Sequence, residues 1–274
     1  MTRALSIIDA DSSEFQCTTA NHVRWKWPIE GTWQRKEPSR NERLLRRRPL
    51  RRIGYSEEVL VLRPKFGLRV QSYDAVESEI AAFLWRTDPS RGAFIVKETL
   101  ESGNIRYIDL YRTGYEIDES NLTNRDHIVI ITLECEAVDP VWYDPTPTTV
   151  TGQMNGATAV ALSCANSNVE TWLEVTLSGD ANSPWLGNAD GEYLQLSGNV
   201  GGILAIDFRP EVDTFGATYT ASGGGTAETW TGRRTALSTW WRLPVGTTEV
   251  TVSGESGSNA AITLQFTKYY KVPY

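Results

Sequence analysis

Apolar and polar residues alternate regularly from His127 to Val138. The apolar positions of this pattern are Val129, Ile131, Leu133, Cys135 and Ala137, and the polar ones are Thr132, Glu134 and Glu136. A period of two residues predicts a half-buried antiparallel strand. Pro140 and Pro145 then predict its end, because proline cannot donate a hydrogen bond to a strand ladder. The Thr-Pro-Thr-Thr run that follows predicts a short, stiff connector between two domains, residues 1–145 and 146–274.

The residues before this strand predict a sheet that carries one helix. Further strands are predicted at Glu58–Arg63, 93–99 and 105–112, the last two joined by a turn at 101–104. Asp74, followed three positions later by Glu77, predicts the N-cap of a helix. The apolar residues at helical spacing behind it, which predict the face that packs on the sheet, are Val76, Ile80, Phe83 and Leu84.

The residues after the connector predict many short strands and no helix. The predicted strands are 159–164, 172–177, 192–196, 203–208, 249–253 and 262–267. Glycine-rich segments between them, among them 198–202 and 222–225, predict turns. Short strands that alternate with glycine turns indicate a β-sandwich or jelly roll.

The composition is that of a globular protein, since 40% of the 274 residues are hydrophobic and 22% are charged. The formal net charge is −7, and the whole excess falls after residue 136, because acidic and basic residues balance before it. Three widely spaced cysteines (Cys17, Cys135 and Cys164) argue against a disulfide framework. No stretch approaches the roughly 18 apolar residues of a membrane span. We therefore expect a protein that is made in a reducing cytoplasm.

A block of seven arginines lies within thirteen positions, at Arg40, Arg43, Arg46, Arg47, Arg48, Arg51 and Arg52. Such a block suits nucleic acid, because it releases counterions from phosphate. No helix-turn-helix, zinc-finger or RNA-binding motif accompanies it, however, and the chain as a whole is acidic. We therefore expect residues 35–52, the arginine arm, to be exposed and to pair with acidic surface on a neighbouring subunit, without specific nucleic-acid binding.

Residues with catalytic chemistry are sparse. His22 and His127 lie far apart, neither beside a nucleophile motif, and the cysteine spacing fits neither a zinc nor a redox site. Glu134 and Glu136, two residues apart on one strand face, would be about 6.6 Å apart by strand rise. That spacing is near the roughly 6.5–9.5 Å between the carboxyl groups of inverting glycosidases. Alternating strands often produce such pairs, so we assign both glutamates to a solvated or interface-facing edge. The sequence predicts no catalytic residue, metal or cofactor.

Sugar binding is the alternative function. Five of the ten tryptophans lie in the second domain, at Trp172, Trp185, Trp230, Trp240 and Trp241. Aromatic faces can carry sugar rings, and jelly rolls often bind sugars. Strand alternation turns many such rings into the core, which we expect for Trp172 and Trp241. Trp185 and Trp230 are the candidates for glycan contact.

Four short segments along the chain share a pattern with a known protein family. The first is Leu-Glu-Cys-Glu-Ala at 133–137, followed by Asp-Pro-Val-Trp-Tyr-Asp-Pro at 139–145. In the second domain they are Gly-Ile-Leu-Ala-Ile-Asp at 202–207 and Trp-Trp-Arg-Leu-Pro-Val-Gly-Thr at 240–247. These segments resemble the distal tail (Dit) proteins of long-tailed, siphovirus-type bacteriophages. Thr247 stands where the family usually has asparagine, and the arginine arm departs from the family pattern. The order of the segments persists over nearly the whole chain.

The resemblance implies a mainly β, non-enzymatic structural protein of the phage tail tip or baseplate. The N-terminal domain, a sheet or β-sandwich with one short helix, would form a ring, commonly a homohexamer, at the distal end of the virion tail. The C-terminal domain would be a jelly-roll β-sandwich like those of galectins and carbohydrate-binding modules. The implied partners are the tail tube protein, the tape-measure protein and the tail-tip hub or fibre proteins, with a host surface glycan as a further expectation. DNA would pass through the ring without specific binding.

Overall fold

The computed structural model describes residues 4–17, 21, 23–25, 30–35, 58–70, 72–120, 127–139, 141–208 and 216–271. They divide into two compact units, one that ends at Pro145 and one that spans Thr146–Tyr270, while Lys271 clusters with the first. The described residues form three antiparallel sheets and a single short α-helix. The predicted mainly β fold class is therefore confirmed.

The first unit is built on one sheet. Its strands are β1 (Ala4–Ile8), β2 (Glu14–Gln16), β3 (Val23–Trp25), β4 (Glu30–Arg35), β5 (Glu58–Arg63), β6 (Lys65–Arg69), β7 (Phe94–Thr99), β8 (Ile105–Asp118), β9 (Ile128–Ala137) and β10 (Val141–Tyr143). The sheet order is β2-β1-β7-β8-β9-β5-β4, with β6 also paired to β9, β3 to β6 and β10 to β8. Strands β5 and β6 follow the same edge of β9 and are separated by Pro64, whose carbonyl accepts from the Leu133 N–H at 3.0 Å.

Strand β9 has the predicted half-buried pattern. Its four central apolar side chains, Val129, Ile131, Leu133 and Cys135, are fully buried. The helix α1 (Val76–Trp85) packs through Val76, Ile80 and Phe83, and the Phe83 ring lies 5.1 Å from that of Phe66 on β6.

The predicted N-cap at Asp74 is wrong. A 3-10 turn over Tyr73–Ala75 precedes α1, and Ala75 occupies the cap position without a side-chain hydrogen bond. Asp74 therefore lies inside a 3-10 turn, and the α-helix starts only at Val76. Two further 3-10 turns lie at Pro89–Arg91 and Thr231–Arg233.

The second unit is a two-sheet sandwich. Its strands are β11 (Thr148–Gln153), β12 (Val160–Ala165), β13 (Glu174–Asn182), β14 (Trp185–Asn188), β15 (Tyr193–Gln195), β16 (Asn199–Asp207), β17 (Gly216–Ala221), β18 (Glu228–Thr229), β19 (Thr247–Ser253) and β20 (Ala261–Phe266). One sheet has the order β11-β20-β13-β16-β17-β18, and the other has the order β12-β19-β14-β15. Apolar residues from both sheets share one buried core. The last strand, β21, spans Tyr269–Lys271 and belongs to neither sheet of the sandwich.

Two local predictions in this unit are wrong. The connector is shorter than expected, because Thr148–Gln153 forms β11 and pairs with β20. The predicted turn at 198–202 is mostly the start of β16, which pairs with β13 from Asn199. Glycine is needed there for close approach, because a Cβ at Gly202 would lie 2.7 Å from the backbone nitrogen of Ser222.

Candidate functional site

In the described part of the first unit, strand β8 leaves an edge without a partner strand. Strand β7 pairs only with Ile105–Leu110, so residues 111–118 have β9 on one side and no described strand on the other. The three large hydrophobic residues in this stretch are all exposed: Tyr111 (41%), Tyr115 (51%) and Ile117 (38%). We call residues 111–118 the β8 edge. An open strand edge can pair with another chain unless charge or covering structure blocks it.

A β-bulge sets which side chains the β8 edge presents. The register between β8 and β9 shifts between Arg112 and Gly114. Beyond the bulge, Tyr115 pairs with Leu133, which is fully buried. Tyr115 therefore points toward the face that is apolar in β9, yet it stays half exposed, so the described residues cover this end of the face only in part.

Arg112 ties the β8 edge to the end of α1. Its Nη1 donates to the carbonyl of Leu84 at 2.8 Å and to Oγ1 of Thr87 at 3.1 Å. A cation that donates to the last carbonyls of a helix also complements the helix dipole. The Arg112 guanidinium lies 5.3 Å from the centre of the Tyr115 ring, so the same side chain supports the exposed tyrosine.

Glu134 and Glu136 lie on the opposite face of β9, partly exposed as predicted. Glu134 Oε1 accepts from Arg63 Nη2 at 2.9 Å, and both side chains remain about half exposed, at 41% and 53%. Ion pairs this open to water contribute at most about 1 kcal/mol. Glu136 lies in register between Val61 and Tyr111. The two glutamates thus form part of a polar surface beside the β8 edge.

Several residues considered in the sequence lie outside the described ranges. These are His22 and the arginines assigned to an interface, Arg43, Arg46, Arg47, Arg48, Arg51 and Arg52. His127 lies just before β9 with a φ of 41°, and its Nδ1 is buried without a hydrogen-bond partner among the described residues.

The tryptophans of the sandwich divide into core and surface. Trp230 and Trp241 are each 2% exposed. The Trp230 ring lies 5.1 Å from that of Tyr219 and 4.3 Å from the guanidinium of Arg233. Such burial leaves no ring face for a sugar, so Trp230 is better explained as a core residue. Trp172 is only half-buried, with the Arg242 guanidinium 4.6 Å from its ring, which differs from its expected inward position.

Trp185 lies on the outer face of the four-stranded sheet, because its neighbour Leu186 is fully buried. Its indole ring lies over Gly187, two residues further along the same face: a Cβ there would be 2.7 Å from the indole Cζ2. The Tyr193 ring on β15 is nearly parallel to it, with the ring centres 6.0 Å apart and 27° between the planes. Trp185 keeps part of its surface exposed.

A shallow concavity of about 380 Å³ opens beside this ring. We call it the Trp185 cleft, and its lining residues are Ser183, Trp185, Gln195, Ser253, Gly254 and Glu255. Strand register brings three of them into one row across β15, β14 and β19. The sequence pattern identified only Trp185, because residues 253–255 are distant in sequence and only strand register brings them beside it.

The three cysteines are free and buried. Burial raises the pKa of the Cys17 thiol to about 12 and that of Cys164 to about 11, and it raises the pKa of Cys135 as well. Groups of three or more metal-ligating side chains are absent from the described ranges, as is a helix able to cross a membrane.

The described residues form a sheet with one short helix, followed by a two-sheet sandwich. The chain is similar to the Dit protein of phage SPP1, with a TM-score of 0.55, 13% identity, and coverage of 97% of this chain and 99% of that one. That protein is described as a paradigm of the hub adsorption apparatus in phages that infect Gram-positive bacteria. At this identity the similarity establishes a Dit-like fold across both units.

A weaker similarity, with a TM-score of 0.46 and 10% identity, is to a chain of the phage P2 baseplate in its activated conformation with Ca; it covers 98% of each chain. No protein-family model matches the chain, and neither does any curated protein sequence.

Proposed function

We propose that this chain is a non-enzymatic structural protein of a phage tail tip or baseplate, located in the virion. It forms a closed ring, commonly a hexamer, that joins the tail tube to the tail-tip hub and host-attachment proteins. The observation that carries the proposal is the Dit-like fold, because the similarity to SPP1 Dit spans 97% of the chain, including both units. A fold by itself does not specify function, so the ring needs a surface that can make it.

The β8 edge is the surface we assign to the ring contact. An exposed strand edge gains backbone hydrogen bonds when a second chain pairs with it, and this gives affinity. Tyr115 and Ile117 add exposed apolar surface to that edge, and tyrosine is enriched at the energetic centres of interfaces. The edge of one copy would pair with the sheet of the next copy around the ring.

Acidic groups beside the β8 edge suit the arginine arm of a neighbouring copy. Glu116 and Asp118 are exposed at its end, and Glu134 and Glu136 lie on the adjacent strand. A hydrogen bond from the Ser120 side chain lowers the pKa of Asp118. The arginine fork pairs with carboxylates in two parallel hydrogen bonds, so lysine would not substitute fully.

Native mass spectrometry of edge variants tests the ring contact. The chain with Tyr115→Asp and Ile117→Asp should be monomeric where the unchanged chain forms a closed ring, because charge on an edge opposes strand pairing. Leu237→Asp is the matched control: Leu237 is 78% exposed in the other unit, so this change should leave the ring intact. Intact rings in the double variant would refute the edge assignment, and a monomeric unchanged chain would refute the ring.

The arginine arm has a separate test. Replacement of Arg46, Arg47, Arg48, Arg51 and Arg52 by serine should give smaller or absent rings. We expect these arginines to point away from the ring channel, because a cationic channel would retain the genome rather than let it slide. DNA mobility in a gel shift at physiological salt should therefore stay unchanged. Unchanged rings together with lost DNA affinity would overturn this orientation.

We further propose that residues 1–145 and 146–274 fold separately and that only the first forms the ring. Fragments divided near Pro147 should each unfold cooperatively, and only the N-terminal one should oligomerise. Ring formation by a fragment from Val150 to the C-terminus would contradict this division.

A further inference from the structure

We propose that the Trp185 cleft is a binding site for a neutral saccharide, in which one sugar ring packs against the indole. The site goes beyond the ring function and does not depend on it. Sugar rings present apolar C–H faces and polar hydroxyl rims, so a site needs an aromatic surface next to groups that donate and accept hydrogen bonds. The outer face of this sheet provides both.

The aromatic part of the site is held in place before any ligand arrives. The Trp185 indole rests on Gly187, where any larger residue would collide with it, and the Tyr193 ring lies alongside. A side chain fixed in this way loses little conformational entropy on binding. Solvent still reaches part of the indole, as a binding platform requires.

The polar part of the site is complementary to hydroxyl groups. Ser183 and Ser253 each offer a hydroxyl, Gln195 an amide and Glu255 a carboxylate, so donors and acceptors both line the cleft. Its lining residues include one acid and no base. A sugar with carboxylate or phosphate groups would therefore meet repulsion without a cationic partner, and the chemistry favours a neutral ring.

The backbone at the cleft is locally strained. Ser183 has a φ of 44°, one of the positive values found outside glycine in the described chain. Its N–H donates to the carbonyl of Gly198 at 2.8 Å, which holds the turn before β14. Strained backbone of this kind persists where the surroundings impose it, and it concentrates at functional sites. The volume, about 380 Å³, also falls within the roughly 300–1,000 Å³ of small-molecule sites.

Titration of the full chain with defined sugars tests the proposal. The probes are glucose, galactose and N-acetylglucosamine, with sialic acid as the anionic comparison, and binding is measured by saturation-transfer NMR and calorimetry. At least one neutral probe should bind, and sialic acid should bind more weakly. Trp185→Ala should weaken binding of the neutral sugar by about tenfold, the loss expected for one aromatic contact.

Two variants separate binding from folding. Trp172→Ala makes the same change at another half-buried tryptophan that does not line the cleft, and it should leave sugar affinity unchanged. Gln195→Leu keeps the size of the side chain but removes its amide, and it should also weaken binding about tenfold. If Trp185→Ala lowers the melting temperature strongly, the Gln195 variant decides the question.

Absence of binding by every neutral probe, or stronger binding of sialic acid, would overturn the proposal. Unchanged affinity in both the Trp185 and the Gln195 variants would overturn it as well. Ring formation, followed by native mass, is a separate readout: a chain that forms rings but binds no sugar refutes only the saccharide site. A monomer that binds sugar through Trp185 refutes only the ring.

Discussion

Replacement of Trp241 by alanine should destabilise the second unit. Trp241 is 2% exposed, and its ring lies 4.9 Å from the ring of Phe208, which is fully buried. Removal of a buried tryptophan side chain from a packed core typically costs about 3–5 kcal/mol, through lost burial and the cavity that remains. Trp241 is one of the largest fully buried side chains among the described residues, so we expect a loss of this size.

An unpaired donor moves the expected loss toward the lower end of that range. The indole Nε1 of Trp241 is buried and has no hydrogen-bond partner among the described residues. A buried unsatisfied donor costs about 1–3 kcal/mol, and truncation removes this penalty together with the ring. We therefore expect Trp241→Ala to lower the free energy of unfolding by about 3 kcal/mol. Trp241→Phe keeps a ring and removes the donor, so it should cost less than half as much.

Calorimetry of the full chain provides the assay, because the two units can unfold in separate transitions. For a unit of this size, a loss of about 3 kcal/mol lowers the melting temperature by roughly 10 °C. Trp185→Ala is the control, since that ring lies on the outer face, and its shift should be much smaller. A Trp241→Ala variant that melts with the unchanged chain would refute the core assignment. A Trp241→Phe variant as unstable as the alanine one would refute the role given to the unpaired N–H.

Three further outcomes follow from the described structure. Burial raises the pKa of Cys17 to about 12 and that of Cys164 to about 11. Neither thiol should therefore react with a chromogenic disulfide reagent at about pH 8 until the chain unfolds. Rapid reaction of the folded chain would contradict their burial. The hydrogen bond from Lys97 lowers the pKa of Glu14, so its stabilising contribution is present above the usual glutamate pKa and is lost as the pH falls through the folded value. Lys97→Met should therefore reduce stability in urea at neutral pH and have less effect in acid, and an equal effect at both would refute the pairing. Gly202→Ala should cost about 1–3 kcal/mol by overpacking against β17, and a melting temperature equal to that of the unchanged chain would show that the close backbone approach is absent.

The regular strands of the fold follow from the local pattern of apolar and polar residues. Strand β5 begins and ends where the sequence predicts, at Glu58 and Arg63. Strand β9 buries the predicted face from Val129 to Cys135. Period-two alternation is visible without tertiary structure, because the geometry of a strand sends successive side chains to opposite faces. The same reasoning correctly placed Trp241 in the core.

Other features depended on which strands meet. The sequence predicted a strand that ends at residue 112, but β8 continues to Asp118 through a bulge. The exposure of Tyr115 follows from the absence of a described neighbouring strand at that position. Sequence pattern carries no information about the partner's length, so it could not identify this edge.

The sequence by itself determined that the chain is mainly β, with a helix-bearing sheet before a sandwich, and it determined which faces of the regular strands are apolar. Only the tertiary structure distinguished Trp185 from Trp230, which the sequence treats alike. Trp230 is enclosed by Tyr219 and Arg233, whereas strand register places Trp185 on an outer face between Gln195 and Ser253. The physical reason is that alternation is a property of one strand, while exposure and the composition of a cleft are properties of several strands brought into register.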